Sequence, residues 1–178
     1  MIYMFIAEGF EEIEALCPLD LIRRAGLDIK TVGIGGEYVT GAHGITVKTD
    51  MTDAEYPCDT ADMIFLPGGM PGASHLDASS AVDAFIDEAE KADAYIAAIC
   101  AAPMILGKRG LLRGRKATCF PGFEEYLEGA EYMDVHTVTD GRFITGRAMG
   151  AATEFALALV KALKGDGAAD VLRAAVFA

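Results

Sequence analysis

Short, wholly apolar segments alternate along this chain with longer segments of helical periodicity, and this alternation limits the folds open to it. Ile2–Ile6 is a continuous apolar run followed by Gly9, which is typical of a strand buried on both faces. Further strands are predicted at 29–34, 45–49, 63–66, 95–99, 117–120, 135–139 and 142–145, and helices at 11–25, 79–91, 101–108, 151–163 and 168–175. This alternation indicates the α/β class, with a mostly parallel sheet that has helices on both faces.

Local signals refine this pattern. Gly26 predicts the end of the first helix, and Pro18 predicts a kink or a broken first turn within it. The glycine-rich stretch 33–44 predicts turns around a short ribbon near Tyr38. Asp140-Gly141 separates the two late strands and is a strong signal for a small hairpin.

Composition excludes several classes of protein. The 178 residues suit one domain spanning 1–178, and 52% of them are hydrophobic, enough for a core without disulfide or metal staples. A net charge of −12 repels phosphates and anionic lipids, so we expect neither nucleic-acid nor membrane partners. The longest apolar run, Tyr95–Gly107, is too short to cross a bilayer.

The cysteines indicate a reducing compartment. Cys17, Cys58, Cys100 and Cys119 show no CxxC spacing, and the N-terminal MIYMFIA lacks the basic start and cleavage site of a signal peptide. We therefore expect reduced thiols in a cytoplasmic protein.

Cys100 is the sharpest chemical signal. In open parallel sheets ligands bind beyond the carboxyl ends of the strands, which selects the loops 9–14 and 67–72 and the turn at Cys100. This cysteine follows the strand 95–99 and precedes a helix, so we expect it to project from a strained turn, with a thiol pKa lowered by the helix N-terminus. From position alone, a buried and inert core cysteine is the alternative.

Glu14 and the glycines at 68 and 69 are the next candidates. Glu14 stands beside the apolar face of the first helix, whereas Glu11 and Glu12 suit the positive end of that helix. A carboxyl desolvated there keeps its proton more readily and could exchange it with a thiol. Gly68-Gly69 could present a backbone N–H to an oxyanion, although an ordinary turn explains this dipeptide as well.

The sequence has no recognised metal or cofactor motif. The three histidines are scattered, with no HExxH or Cys/His pattern, so we expect no metal site. Neither a GxGxxG fingerprint nor a P-loop is present, and we expect no cofactor. The cysteines other than Cys100 lie outside a strand-to-helix turn and are predicted to be structural.

Five segments together resemble the DJ-1 branch of the DJ-1/PfpI family. Residues 97–103, AAICAAP, resemble its cysteine elbow, and residues 11–14, EEIE, resemble its glutamate loop. Residues 66–69, LPGG, are similar to its oxyanion loop, whereas residues 23–26, RRAG, and 153–157, TEFAL, are similar to parts of its helices. The matches follow the family's order and span nearly the whole chain.

This resemblance implies a flavodoxin-like three-layer sandwich and a homodimer. It also implies a nucleophilic Cys100, a protonated Glu14 hydrogen-bonded to it, and an oxyanion hole from the backbone of Gly69 and Ala101. Candidates for further pocket or dimer contacts are Gly68, Arg24, His43 and Arg147.

The chain departs from the family at several positions. PfpI-type peptidases have a histidine directly after the cysteine, where this chain has Ala101, so peptidase and amidotransferase activities are not expected. The histidine that some relatives have after the elbow helix is absent from Cys119-Phe120-Pro121. His43 stands where an arginine is frequent, and Ala148-Met149-Gly150 replaces a usual Gly-Pro-Gly.

The resemblance further implies a cofactor-independent enzyme that acts on small reactive carbonyls. Family members convert methylglyoxal to lactate, the glyoxalase III activity, and some are proposed to be deglycases. Cys100 would attack the aldehyde and Glu14 would relay the proton. The alternatives are a redox sensor or oxidative-stress protein built on an oxidisable Cys100, or a chaperone, and the sequence alone does not separate them.

Overall fold

The computed structural model describes residues 1–56 and 61–178. The strands are β1 (Ile2–Ile6), β2 (Ile29–Gly33), β3 (Tyr38–Thr40), β4 (Thr46–Lys48), β5 (Met51–Thr52), β6 (Met63–Leu66), β7 (Tyr95–Ile99), β8 (Lys116–Ala117), β9 (Glu131–Tyr132), β10 (Thr137–Asp140) and β11 (Phe143–Gly146). The helices are α1 (Glu12–Arg24), α2 (Gly72–Asp77), α3 (Ser80–Lys91), α4 (Pro103–Lys108), α5 (Ala152–Lys164) and α6 (Asp166–Ala175).

Seven strands form the central sheet, in the order β10-β11-β7-β6-β1-β2-β5. Its neighbouring strands are parallel except for the β10–β11 hairpin. The predicted α/β class, the mostly parallel sheet and the hairpin at Asp140-Gly141 are therefore confirmed. Strands β3 and β4 form a separate antiparallel ribbon, as expected near Tyr38, and β8 and β9 form another short sheet.

Side chains of the central strands alternate between two apolar layers. Phe5 of β1 faces the layer covered by α2, α3 and α4, whereas Met4 faces the layer covered by α1, α5 and α6. In the second layer the rings of Phe65 and Phe155 lie 5.4 Å apart, which joins β6 to α5. Because both faces are covered, the strands carry continuous apolar runs rather than an alternating pattern.

Helix α1 differs from the expectation raised by Pro18. The helix is continuous from Glu12 to Arg24, so a broken first turn is wrong, whereas a kink at Pro18 stays a prediction. Pro18 lacks an N–H, and the carbonyl that loses its helical partner is that of Glu14. Gly26 follows the helix with φ +68°, a left-handed conformation that ends the helix as predicted.

The short elements were the hardest to predict. Helix α2 and strands β5 and β9 were missed, and β8 ends at Ala117 instead of continuing to residue 120. Each is too short for a periodic signal, and the strands among them pair with segments that are not adjacent in sequence. The structural role predicted for Cys58 falls outside the described residues. Among those described, no helix is both long and apolar enough to cross a membrane.

The contact between Phe65 and Phe155 gives a test of the core. Phe155 is 0% exposed, so Phe155→Ala should lower the free energy of unfolding by about 3–5 kcal/mol. The matched control is Phe177→Ala, since Phe177 is 97% exposed and its loss should change stability by less than about 0.5 kcal/mol. Denaturant unfolding of both variants measures the difference, and equal effects would contradict the assigned layer.

Candidate active site

The candidate residues meet at one edge of the central sheet. Strands β7, β6 and β1 are neighbours and parallel, so their carboxyl ends lie side by side. Cys100 follows β7, Gly68-Gly69 follows β6, and the loop after β1 leads into the first turn of α1, which carries Glu14. The three loops selected from the sequence are therefore adjacent in space.

Cys100 occupies a strained turn between β7 and α4. Its φ is +65°, a left-handed conformation that costs a residue with a side chain on the order of 1–3 kcal/mol. Its N–H donates to the carbonyl of Gly146 at 2.9 Å, and its own carbonyl accepts from Phe120 N–H at 2.8 Å. Because both backbone groups are held, the turn aims the side chain out of the sheet edge.

Gly68 has no room for a side chain. A Cβ there would lie 2.5 Å from Oε2 of Glu14 and 2.6 Å from the Cβ of Cys100. The carbonyl of Gly68 also accepts the N–H of Glu11 at 3.0 Å, which fixes the start of α1 beside β6. The glycine therefore lets the carboxyl and the cysteine approach each other.

Glu14 is held inside the protein by the capping of α1. The side chain of Glu11 accepts the N–H of Glu14 at 2.7 Å, and Glu14 is only 1% exposed. Among the described groups, its Oε2 atom is buried with no hydrogen-bond partner of normal geometry. A buried carboxyl oxygen without a well-formed hydrogen bond is suited to exchange a proton with a bound molecule.

The carboxyl and the thiol influence each other's protonation. Burial raises the pKa of Glu14 to about 7, against hydrogen bonds from Cys100 and from the backbone of Gly68 and Met149. Burial also raises the pKa of Cys100, and the charge and hydrogen bond of Glu14 raise it further. The pair therefore titrates as a unit that holds one shared proton above about pH 7.

The predicted effect of α4 on Cys100 is not observed. This helix begins only at Pro103, and burial and Glu14 together outweigh any stabilisation of the thiolate by its N-terminus. The backbone N–H groups of Gly69 and Ala101 do lower the pKa of the thiol by hydrogen bonding to it. These are the two amides expected to form an oxyanion hole, and both lie at the sulfur.

His43 lies on the ribbon rather than at Cys100. Its backbone N–H donates to Oε1 of Glu12 at 2.8 Å, and its Nδ1 lies 2.9 Å from Oε2. The hydrogen bond to Glu12 raises the pKa of His43, and burial of Glu12 is outweighed by the bonds from His43, which lower the pKa of this carboxyl. His43 therefore anchors the β3–β4 connection to the start of α1.

The same region holds a group with metal-ligand chemistry. Among the described residues, Glu11, Glu12 and His43 each offer one ligand atom, and these atoms lie within 4.8 Å of one another. The carboxylates already accept backbone N–H groups and the imidazole. They also lie at the positive end of α1, which favours anions over a cation. We assign no metal chemistry to this group.

Arg24 and Arg147 do not line the cavity at Cys100. Arg24 is at the far end of α1, paired with Asp20 at 2.6 Å, and ten residues of helix place it about 15 Å along the axis from Glu14. Arg147 pairs with Asp134. A dimer contact at Arg24, His43 or Arg147 stays a prediction.

The environment of Cys119 fits the expected structural role. This thiol is buried, and burial and the charge of Glu124 raise its pKa to about 12, although Arg147 lowers it. Cys17 is partly buried, with its sulfur 3.7 Å from Oγ1 of Thr153.

Sequence reasoning missed the apolar wall of the site. A cavity of about 200 Å³ opens at Cys100, and its lining consists of Gly69, Met70, Cys100, Ala101, Phe120 and Phe123. The rings of Phe120 and Phe123 meet edge to face at 6.4 Å. The segment Cys119-Phe120-Pro121 lacks the histidine of some relatives. The aromatic side chain of Phe120 in the same segment was the sequence signal that could have predicted an apolar wall.

Comparisons with known proteins agree with this geometry. The model of the DJ-1/PfpI family matches residues 1–162. Protein dj-1beta of Drosophila melanogaster is 36% identical over 91% of this chain and 88% of its own length. The glutathione-independent glyoxalase DJR-1.2 of Caenorhabditis elegans is 33% identical over 89% of this chain and 85% of its own length. A mutant of the DJ-1 superfamily protein STM1931 from Salmonella typhimurium has a similar structure, with a TM-score of 0.94 and 32% identity. The match covers 99% of this chain and 97% of that protein's chain.

The shared proton gives a pH test. The first proton leaves the pair near pH 7, because the pKa of Glu14 is raised to about 7, and the doubly protonated pair that exists at lower pH contains no thiolate. The rate of Cys100 alkylation by iodoacetamide should therefore rise as pH increases through about 7. In Glu14→Gln the carboxyl is gone. The pH at which the alkylation rate is half its maximum should then move higher, because burial still raises the pKa of the thiol.

Mass spectrometry of the Cys100 peptide between pH 5 and 10 measures these rates. Cys17, alkylated in the same samples, is the internal control and should respond identically in both proteins. An unchanged midpoint in Glu14→Gln would contradict the coupling.

Proposed function

Because the chain belongs to the DJ-1/PfpI family, we propose that it is a cofactor-independent enzyme of small reactive carbonyls, with methylglyoxal to lactate as its reaction. The observation that carries this proposal is the convergence of one thiol, one buried carboxyl and two backbone N–H groups on a single point. A relative named as a glyoxalase supports it. Among the described residues that line the cavity, Cys100 carries the one titratable side chain.

The first step is addition of the sulfur of Cys100 to the aldehyde carbon. A carbon–sulfur bond forms, the carbonyl π bond breaks, and the thiol proton ends on the new hydroxyl, giving a hemithioacetal. The N–H groups of Gly69 and Ala101 face the sulfur and are placed to stabilise the negative oxygen as it develops.

The second step moves a proton between two carbons. The carboxylate of Glu14 removes the hydrogen of the hemithioacetal carbon, and the resulting enediol regains a proton at the neighbouring carbon to give a thioester. One carbon is oxidised while the other is reduced, so no external electron acceptor is required. Water then hydrolyses the thioester to lactate and the free thiol. A pKa of about 7 for Glu14 suits a group that both takes and returns a proton near neutral pH.

Lactate formation from methylglyoxal is the test of this function. Cys100→Ala should reduce turnover to the uncatalysed background, because no thiol remains to form the hemithioacetal, and both residues carry a Cβ and so bear the same backbone strain. Glu14→Gln should lower kcat by roughly 100-fold or more through loss of proton transfer. Cys17→Ser is the matched control, with turnover close to wild type.

Turnover in deuterium oxide tests the proton relay. Transfer through Glu14 predicts deuterium at carbon 2 of lactate, since the carboxyl exchanges with solvent, whereas a direct hydride shift leaves that carbon unlabelled. Retained activity in Cys100→Ala would overturn the proposal.

Redox sensing at Cys100 is the second candidate. Of the cysteines that the structure describes, Cys100 lies beside a carboxyl and two N–H groups that could bind the oxygens of an oxidised sulfur, whereas Cys119 is 0% exposed. The raised pKa of Cys100 slows its oxidation as well as its attack on carbonyls. The relative named as a glyoxalase therefore decides the order, and redox sensing is placed second.

Graded peroxide treatment separates the candidates. We expect Cys100 to gain oxygen atoms before the other cysteines, because it is partly exposed and has the N–H groups of Gly69 and Ala101 at its sulfur. Intact-mass analysis followed by peptide mapping measures the order. A reaction at Cys100 no faster than at the other cysteines would exclude the sensor function.

A further inference from the structure

The cavity at Cys100 has an apolar and aromatic lining. Of its six lining residues, Met70, Phe120 and Phe123 supply the large side chains, and none of the six is charged. Phe120 is 43% exposed and Met70 is 50% exposed. Large apolar side chains exposed on opposite loops beside one reactive group are more informative than single exposed residues.

A backbone hydrogen bond links Phe120 to Cys100. The N–H of Phe120 donates to the carbonyl of Cys100 at 2.8 Å, which fixes the backbone of the aromatic residue beside that of the nucleophile. The ring of Phe123 meets that of Phe120 edge to face and lies 5.9 Å from the ring of Tyr126. A ring supported in this way presents a fixed surface, and aromatic rings and a thioether both favour contact with another ring.

Charge acts against anionic substrates. The ionisable partner of Cys100 is the carboxyl of Glu14, and the chain carries a net charge of −12. Arg147, the basic candidate closest in sequence to the β11 end, is paired with Asp134. A carbonyl compound that carries its own carboxylate would meet repulsion and no cation in the lining.

Size limits the substrate further. The cavity of about 200 Å³ is smaller than the roughly 300–1,000 Å³ that is usual for drug-sized ligands. It therefore suits a dicarbonyl unit with one modest substituent.

We propose that this site selects α-oxo aldehydes with an apolar, and above all aromatic, substituent, and that the ring of Phe120 sets this preference. The inference rests on the proposed carbonyl chemistry at Cys100. Its substrate class is the aryl glyoxals, for which phenylglyoxal is the probe, in preference to methylglyoxal and against glyoxylate.

Kinetics of the three aldehydes are the first test. In the wild type, kcat/KM should fall in the order phenylglyoxal, methylglyoxal, glyoxylate. Phe120→Ala should lower kcat/KM for phenylglyoxal by roughly three- to tenfold, with less than about a twofold change for methylglyoxal. For phenylglyoxal, kcat/KM of Phe120→Leu should lie between the values of the wild type and Phe120→Ala. Phe177→Ala should match the wild type. Equal loss for both substrates in Phe120→Ala, or glyoxylate used as well as phenylglyoxal, would overturn the inference.

Alkylation keeps the test independent of turnover. Iodoacetanilide, iodoacetamide and iodoacetate transfer related groups to sulfur with loss of iodide, and they differ in carrying a ring, no substituent or a charge. Relative to their rates with glutathione, Cys100 should react in that order, and Phe120→Ala should remove the advantage of the ring while Cys17 shows no change. If no glyoxal is turned over, the proposed function fails, yet these ratios still decide whether the cavity selects aromatic groups.

Discussion

The close approach of Glu14 and Cys100 across Gly68 is the constraint on which the rest of the site depends. The space that a Cβ at Gly68 would occupy is filled by the carboxyl and the cysteine. The loop after β6 must therefore have a glycine at position 68, α1 must begin beside that loop, and the chain must turn sharply enough after β7 to bring Cys100 next to both. The parallel order β7-β6-β1 supplies this geometry, because it brings three strand ends to one edge.

The arrangement is unfavourable for the folded state on its own. Raising the pKa of Glu14 from 4.5 to about 7 means that its ionised form is destabilised by about 3 kcal/mol relative to a free carboxyl. The left-handed backbone of Cys100 adds a further cost of about 1–3 kcal/mol. Two covered faces of the sheet offset these costs, since the strands around the site are almost wholly buried. Local strain supported by a large core is typical of functional sites rather than of ordinary turns.

The sequence predicted those parts of the molecule that carry a local signal. The apolar runs located β1, β6 and β7 to the residue, because strands buried on both faces have no polar positions to blur their limits. The turn at Cys100 followed from a strand, a cysteine and a helix in close succession. What could not be predicted depends on distant contacts: the pairing of His43 with Glu12 and the balance of effects on the pKa of Cys100. The helix favours a thiolate, but its influence is set against burial and a neighbouring carboxyl that only the folded chain brings together.

The missing histidine in the segment 119–121 has a physical consequence beyond the loss of a base. With Phe120 beside the sulfur and no second titratable group in the described lining, any proton transfer at this site must pass through Glu14 or through solvent. A single carboxyl can serve both directions only if its pKa lies near the working pH, and burial next to Cys100 is what raises it there. Burial therefore sets the protonation of both groups, the thiol of Cys100 and the carboxyl of Glu14.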